Sequence, residues 1–203
     1  MSGAPTAGEG DGEGVGPPVG PPVDMKAPVV VITGIPGSGK STIGALLAER
    51  FERAALIEGD TLRRMVVSGR VEMSPEQDPQ ALLQYGLRLR HLACLARSYS
   101  AAGFPVIAED NILGAYLEEF VAMLGDTVTA HVVVLAPRAE VVRGRDAARP
   151  HHAYGDDGWG AEALDATFRE ETARIGHWLD TSEQSASETA DTVWRLLGLG
   201  EER

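Results

Sequence analysis

The sequence predicts a three-layer α/β fold, in which helices cover both faces of a parallel five-stranded sheet. Three observations carry that expectation. Short apolar runs alternate with longer stretches of helical periodicity, the pattern of a parallel sheet with right-handed crossovers. The segment 131–137, HVVVLAP, is an unbroken run of the kind found in central strands buried on both faces. A third run, 29–33 (VVVIT), leads directly into Gly34-Ile35-Pro36-Gly37-Ser38-Gly39-Lys40-Ser41, which fits G-x-x-x-x-G-K-[ST] at every fixed position.

That spacing has a physical reading. A buried strand delivers the chain to a glycine-rich turn whose backbone N–H groups converge on phosphate oxygens. The helix that follows points its positive end at the same anion. Gly34, Pro36, Gly37, Ser38, Gly39, Lys40, Ser41 and Thr42 are therefore expected to cradle a nucleoside triphosphate. Lys40 would reach the β/γ-phosphates and the Ser41 hydroxyl would ligate Mg²⁺. The expectation is a P-loop NTPase fold that uses ATP and Mg²⁺.

The chain has 203 residues, enough for one α/β domain, expected over 27–203. Residues 1–26 are Gly/Pro-rich, with four acids, one base and little to bury. Such a segment cannot offset its ordering entropy, so it is expected to be a disordered tail that activity does not need. No apolar run approaches the roughly 20 residues of a membrane span, and no basic start leads into an apolar signal region. The cytoplasm is the expected compartment. The only cysteine, Cys94, excludes an internal disulfide; its place in a helical pattern suggests a small buried thiol. A net charge of −12 and a pI near 4.8 oppose binding to a nucleic-acid backbone.

The elements follow in order. A helix is expected over 42–51, then a short strand at 54–57 that ends in Glu58-Gly59-Asp60. This puts a carboxylate at the sheet edge where ligands of doubly wound folds sit. A helix over 61–68 carries Arg63 and Arg64, and 69–79 reads as a loop. Asp78-Pro79 starts a helix that stops at Gly103, with Leu82, Leu89, Leu92, Leu95 and Tyr99 as its apolar stripe. Arg88, Arg90 and Arg97 lie mainly off that stripe and read as a solvated face. The next strand, 104–108, ends in Glu109-Asp110-Asn111. After the central strand comes a helix with Arg143, Arg145 and Arg149, then a glycine-rich flap at 151–160. A helix over 161–174, a short strand at 176–179 ending in Asp180-Thr181-Ser182, and a helix over 187–197 complete the chain.

Three strand ends thus carry chemistry. Asp60 could accept the proton of an attacking hydroxyl, or it could cap the helix behind it. Glu109 or Asp110 could hold Mg²⁺ or its waters, or stand as surface acids. Arg145 and Arg149, four apart on one helix face, could reach one phosphate chain or form a surface pair with Asp146 or the flap acids.

In these segments the chain resembles the small P-loop kinases of the nucleoside-monophosphate-kinase type, particularly the chloramphenicol phosphotransferase-like group. Glu58-Gly59-Asp60-Thr61-Leu62 is similar to the segment whose aspartate that group uses as general base, and 109–114 (EDNILG) to its acidic segment. Residues 142–149 (VRGRDAAR) resemble its lid helix, which implies an Arg-bearing lid with Arg145 and Arg149 closing on the phosphates. Asp180 and Thr181 resemble the adenine-bordering loop of gluconate-kinase-like relatives.

The resemblance implies Lys40, Asp60, Arg145 and Arg149 as catalytic and Ser41 and Asp110 at the metal; the segments bearing Arg63 and Arg64 depart from it, and Arg63, Arg64, Glu109 and Asn111 are expected beside an acceptor. The expected reaction moves the γ-phosphoryl group of ATP to a hydroxyl of a small molecule such as an antibiotic, sugar or related metabolite. A nucleoside or nucleotide kinase and a nucleotide-switched regulatory ATPase are the alternatives. Oligomeric state is not legible, and no nucleic-acid or membrane partner is expected.

Overall fold

The computed structural model describes residues 27–148, 152–154 and 160–199. The expected tail at 1–26, Arg149, and most of the expected flap lie outside the described residues. Strand β1 (Val29–Thr33) is buried at all five positions and runs up the middle of the sheet. It pairs with β3 (Val106–Glu109) on one side and β4 (Ala130–Leu135) on the other. The edges are β2 (Ala55–Glu58), paired with β3, and β5 (His177–Leu179), paired with β4. The order is β2-β3-β1-β4-β5 and every pairing is parallel. The expected five-stranded parallel sheet is therefore present, within one residue or two at most strand ends.

Between the strands run α1 (Lys40–Ala48), α2 (Gly59–Arg64), α3 (Pro79–Ala101), α4 (Tyr116–Leu124), α5 (Ala139–Ala147), α6 (Ala161–Glu171) and α7 (Ala186–Leu196). The period-2 alternation of β1 decides what covers each face. Val30 and Ile32 join Ile43 and Leu47 of α1 and Val193 of α7 in one core. Val29 and Val31 join Leu89 and Leu92 of α3, Phe120 of α4 and Phe168 of α6 in the other. This is the three-layer arrangement read from the sequence.

Helix α3 begins as its sequence demands. The Asp78 carboxylate accepts from the N–H groups of Gln80 at 2.7 Å and Ala81 at 3.4 Å, and Pro79 opens the first turn. The buried face, however, is Ala81, Tyr85, Leu89, Leu92, Ala93, Ala96 and Ser100. Leu95 and Tyr99, expected in the stripe, are 36% and 44% exposed. The alanines allow the helix to approach the sheet closely; the bulkier pair is left at the margin, where Tyr99 packs edge-on to Phe104. This rotation also turns Cys94 outward, so the expected buried thiol is exposed.

Two other elements differ from expectation. Helix α2 ends at Arg64 rather than near 68, because Met65 and Val67 find no apolar surface and are 64% and 93% exposed. The sequence reading places no element over 116–124, where α4 lies. Its i, i+3, i+7 set of Leu117, Phe120 and Leu124 is fully buried, and it packs beside α3.

Candidate active site

The phosphate loop, 34–41, grows from the C-terminal end of the central strand. Gly34, Gly37 and Gly39 adopt φ of 152°, 83° and 103°, a region that side chains seldom enter. At Gly34 a Cβ would also stand 2.5 Å from the Leu135 carbonyl oxygen. The loop is thus shaped as a cradle that only glycine at these points can form. Ser38 is fully buried, and its Oγ has no hydrogen-bond partner among the described residues. Lys40 is 8% exposed, and its Nζ donates to the Ile35 carbonyl oxygen at 3.1 Å.

Beyond the cradle lies a cavity of about 330 Å³ lined by Gly37, Gly39, Thr42, Arg145, Thr181 and Thr189, among others. Thr181 is 1% exposed with an unpartnered Oγ1. The Asp180 carboxylate instead turns into its own loop, accepting from the N–H and hydroxyl of Ser182, which holds it below the usual carboxylate range. A larger hollow of about 730 Å³ lies between α3 and α4 near Arg90, Cys94 and Met123, and shares no residue with the cradle.

The parallel register brings the strand tips level: Glu58 of β2 stands beside Glu109 of β3, and Glu109 beside Ile32 of β1. Of the two acids at the end of β3, Glu109 and Asp110, Glu109 reaches the phosphate loop. Its Oε1 accepts from the Ser41 hydroxyl at 2.9 Å. Burial pushes the Glu109 carboxyl above its usual range, against the pull of Lys40 and the Ser41 hydrogen bond. Asp110, expected at the metal with Ser41, faces the other way. Its Oδ2 lies 2.8 Å from Arg88 Nε, off hydrogen-bond geometry, and its Oδ1 accepts from the Asn111 N–H at 2.8 Å. A Cβ on Gly59 would fall 2.2 Å from the Asp110 carboxylate, so glycine is required where α2 begins.

Asp60 is the second residue of α2, with Glu58 at the cap position, so the alternative reading of Asp60 as a helix cap does not hold. Its carboxylate is 61% exposed and accepts from Arg63 Nε at 3.1 Å. Arg63 also donates to Glu72, and Arg64 donates to the Thr61 hydroxyl. Asn111 gives its carbonyl to the Tyr85 hydroxyl at 2.8 Å, while its Oδ1 is buried without a partner. Arg145 does not pair with Asp146. It donates to the Ser38 and Thr181 carbonyls, at 3.4 and 3.1 Å, bridging the phosphate loop and the far wall of the cavity.

Arg88 is the residue that the sequence reading missed most clearly, having been assigned to a solvated face. Its side chain is 12% exposed, packed over the Tyr85 ring and against Asp110. The signal lay in the helix period, which sets Arg88 three residues after Tyr85 and four before Leu92 on the true buried face. Burial raises the Asp110 carboxyl above its usual range, and Arg88 is the main opposing influence. Arg88→Met should therefore cost about 3–5 kcal/mol at neutral pH, where it strands a buried carboxylate. Because the folded carboxyl holds its proton more tightly than the unfolded one, this deficit shrinks as the pH falls through the folded-state pKa. Urea denaturation at neutral and mildly acid pH checks this; equal deficits at both would contradict it.

A parallel sheet ordered 2-3-1-4-5, with a glycine cradle on the central strand and a Ser–Glu contact beneath it, defines a nucleotide-binding P-loop protein. Residues 29–176 match the AAA domain family, and the chain belongs to it. A search of curated protein sequences finds no match. Among solved structures, the chain is similar to a sugar kinase from Janibacter sp. (20% identity, TM-score 0.63, covering 86% of this chain and 96% of that one). It is similar to the APS kinase of Mycobacterium tuberculosis in complex with AMPPNP and APS (16%, TM-score 0.62, covering 86% and 99%). It also resembles shikimate kinase from Acinetobacter baumannii in complex with shikimate (20%, TM-score 0.58, covering 88% and 97%). At these identities the likeness is one of fold, and the fold is that of the small P-loop kinases.

Proposed function

We propose that this protein is an ATP- and Mg²⁺-dependent phosphotransferase that moves the γ-phosphoryl group to a hydroxyl of a small molecule. The observation that carries the reading is the Ser41–Glu109 contact at 2.9 Å beside the glycine cradle, with Lys40 acting on the same carboxylate. An oxygen-only pair of this kind suits Mg²⁺, which takes one or two protein oxygens together with phosphate and water. Mg²⁺ bound there would neutralise charge on the phosphates. We assign the metal-facing acid to Glu109 rather than Asp110, since Asp110 is engaged by Arg88.

Lys40 and the loop N–H groups hold the phosphates, with Arg145 beside them. Asp60 stands two residues beyond the end of β2, a strand that lies two spacings or about 10 Å from the central one. In this reading its carboxylate takes the hydroxyl proton as the oxygen attacks phosphorus. The lid, with Arg149, would complete the charge neutralisation. Arg63, Arg64 and Asn111 flank the acceptor side. The catalytic unit spans 27–203 and acts in the cytoplasm.

The acceptor class proposed is a hydroxylated small molecule: an antibiotic, sugar or related metabolite. Purified protein incubated with ATP and Mg²⁺ against a panel of hydroxylated antibiotics, sugars and nucleosides tests the proposal. A phosphorylated product is the expected result. ATP hydrolysis that no panel member diverts or accelerates would favour a regulatory ATPase instead.

A further inference from the structure

Helix α5 and the turn behind it grip the phosphate loop at three successive residues. The Tyr154 hydroxyl donates to the Pro36 carbonyl oxygen at 2.7 Å. Gly37 lies so close to α5 that a Cβ there would meet Val142 at 3.0 Å. The Ser38 carbonyl accepts from Arg145 Nη1 at 3.4 Å. Tyr154 is not carried by the helix itself. It is placed by Asp146, a residue 3% exposed, whose carboxylate accepts from the Ala153 N–H at 3.0 and 3.1 Å and from the Tyr154 N–H at 3.4 Å. Both oxygens of a buried carboxylate are thereby committed to fixing one short turn, and that turn aims one hydroxyl at the loop.

The peptide linking Pro36 to Gly37 is planar and trans, so its C=O and N–H project from opposite edges. A donor fixed on the carbonyl edge sets the direction of the N–H on the other. Gly37 lines the cavity. We propose that Tyr154 is a positioning residue, whose hydroxyl orients the Pro36–Gly37 peptide so that the Gly37 N–H faces the terminal phosphate of a bound nucleotide. The inference rests on the nucleotide reading above. It concerns the glycine-loop residues that line the cavity, not Thr181 and Thr189, which also line it.

Tyr154→Phe is the direct test, because the ring packs against the core and the variant deletes only the hydroxyl. Calorimetry with ADP and with AMPPNP, a nucleotide that carries the terminal phosphate and is not hydrolysed, separates the two ends of the site. The expected result is ADP affinity within about twofold of the parent, AMPPNP affinity lowered about fivefold to tenfold, the span of one hydrogen bond, and a melting temperature within a few degrees of the parent's. Equal loss for both nucleotides would reduce Tyr154 to a structural contact and overturn the proposal, as would no loss for either. A parent protein that binds neither nucleotide would remove the nucleotide reading itself, a failure visible before any variant is made.

Discussion

Asp60→Asn is expected to lower kcat by about 10²–10⁴ while ATP still binds within a few-fold of its normal affinity, the usual span for loss of a general base. The substitution keeps the size of the side chain and removes only its capacity to take a proton. It should leave the fold intact. The carboxylate is 61% exposed, and its partner Arg63 retains a second acceptor in Glu72. An exposed pair of this kind contributes little to stability. Binding should persist because the cradle belongs to β1 and α1, two strands away from the tip that carries Asp60. Single-turnover transfer to whichever acceptor the panel identifies, with ATP affinity by calorimetry, separates the two steps. Near-normal turnover in the variant would remove Asp60 from the chemistry.

Lys40→Ala is expected to act on binding itself. The side chain is the buried cation of the loop, 8% exposed at the first residue of α1, and it also offsets the charge of Glu109. Truncating one member of a buried, hydrogen-bonded charge pair typically costs about 2–5 kcal/mol, or roughly 30-fold to several thousand-fold in Kd. The thermal stabilisation that ATP gives the parent should be lost with it. ATP binding at parental affinity in this variant would contradict the assignment of the loop. The contrast with Asp60→Asn is the diagnostic point: one substitution removes the ligand, the other leaves it bound and unreacted.

Much of this is legible in the amino-acid sequence. The phosphate loop is a local motif in which eight consecutive residues carry their own geometry, and the strand tips followed once the alternation of elements fixed a parallel sheet. What could not be read was pairing across the chain. Tyr154 meets Pro36 from 118 residues away, and nothing in either neighbourhood names the other. The roles of Glu109 and Asp110 were open for a similar reason. Consecutive residues at a strand end point to opposite sides, and which side faces Ser41 depends on how β3 sits against β1. Arg88 and Cys94 were misplaced by a single rotation of α3, because the apolar stripe was judged by bulk and the close approach favoured alanine. Helix α4 could have been found from its own period.

The fit of Gly59 against Asp110 bears on any effort to alter the specificity proposed here. Libraries that diversify the exposed positions from Met65 through Glu72, leaving Asp60 and the buried Leu62 in place, would reshape the proposed acceptor side without touching the cradle. Position 59 cannot join them, because any side chain there would occupy the space of a carboxylate 2.2 Å away. Selection for new substrates therefore has a corridor bounded by a fixed post, and clones altered at that post should drop out whatever acceptor is offered.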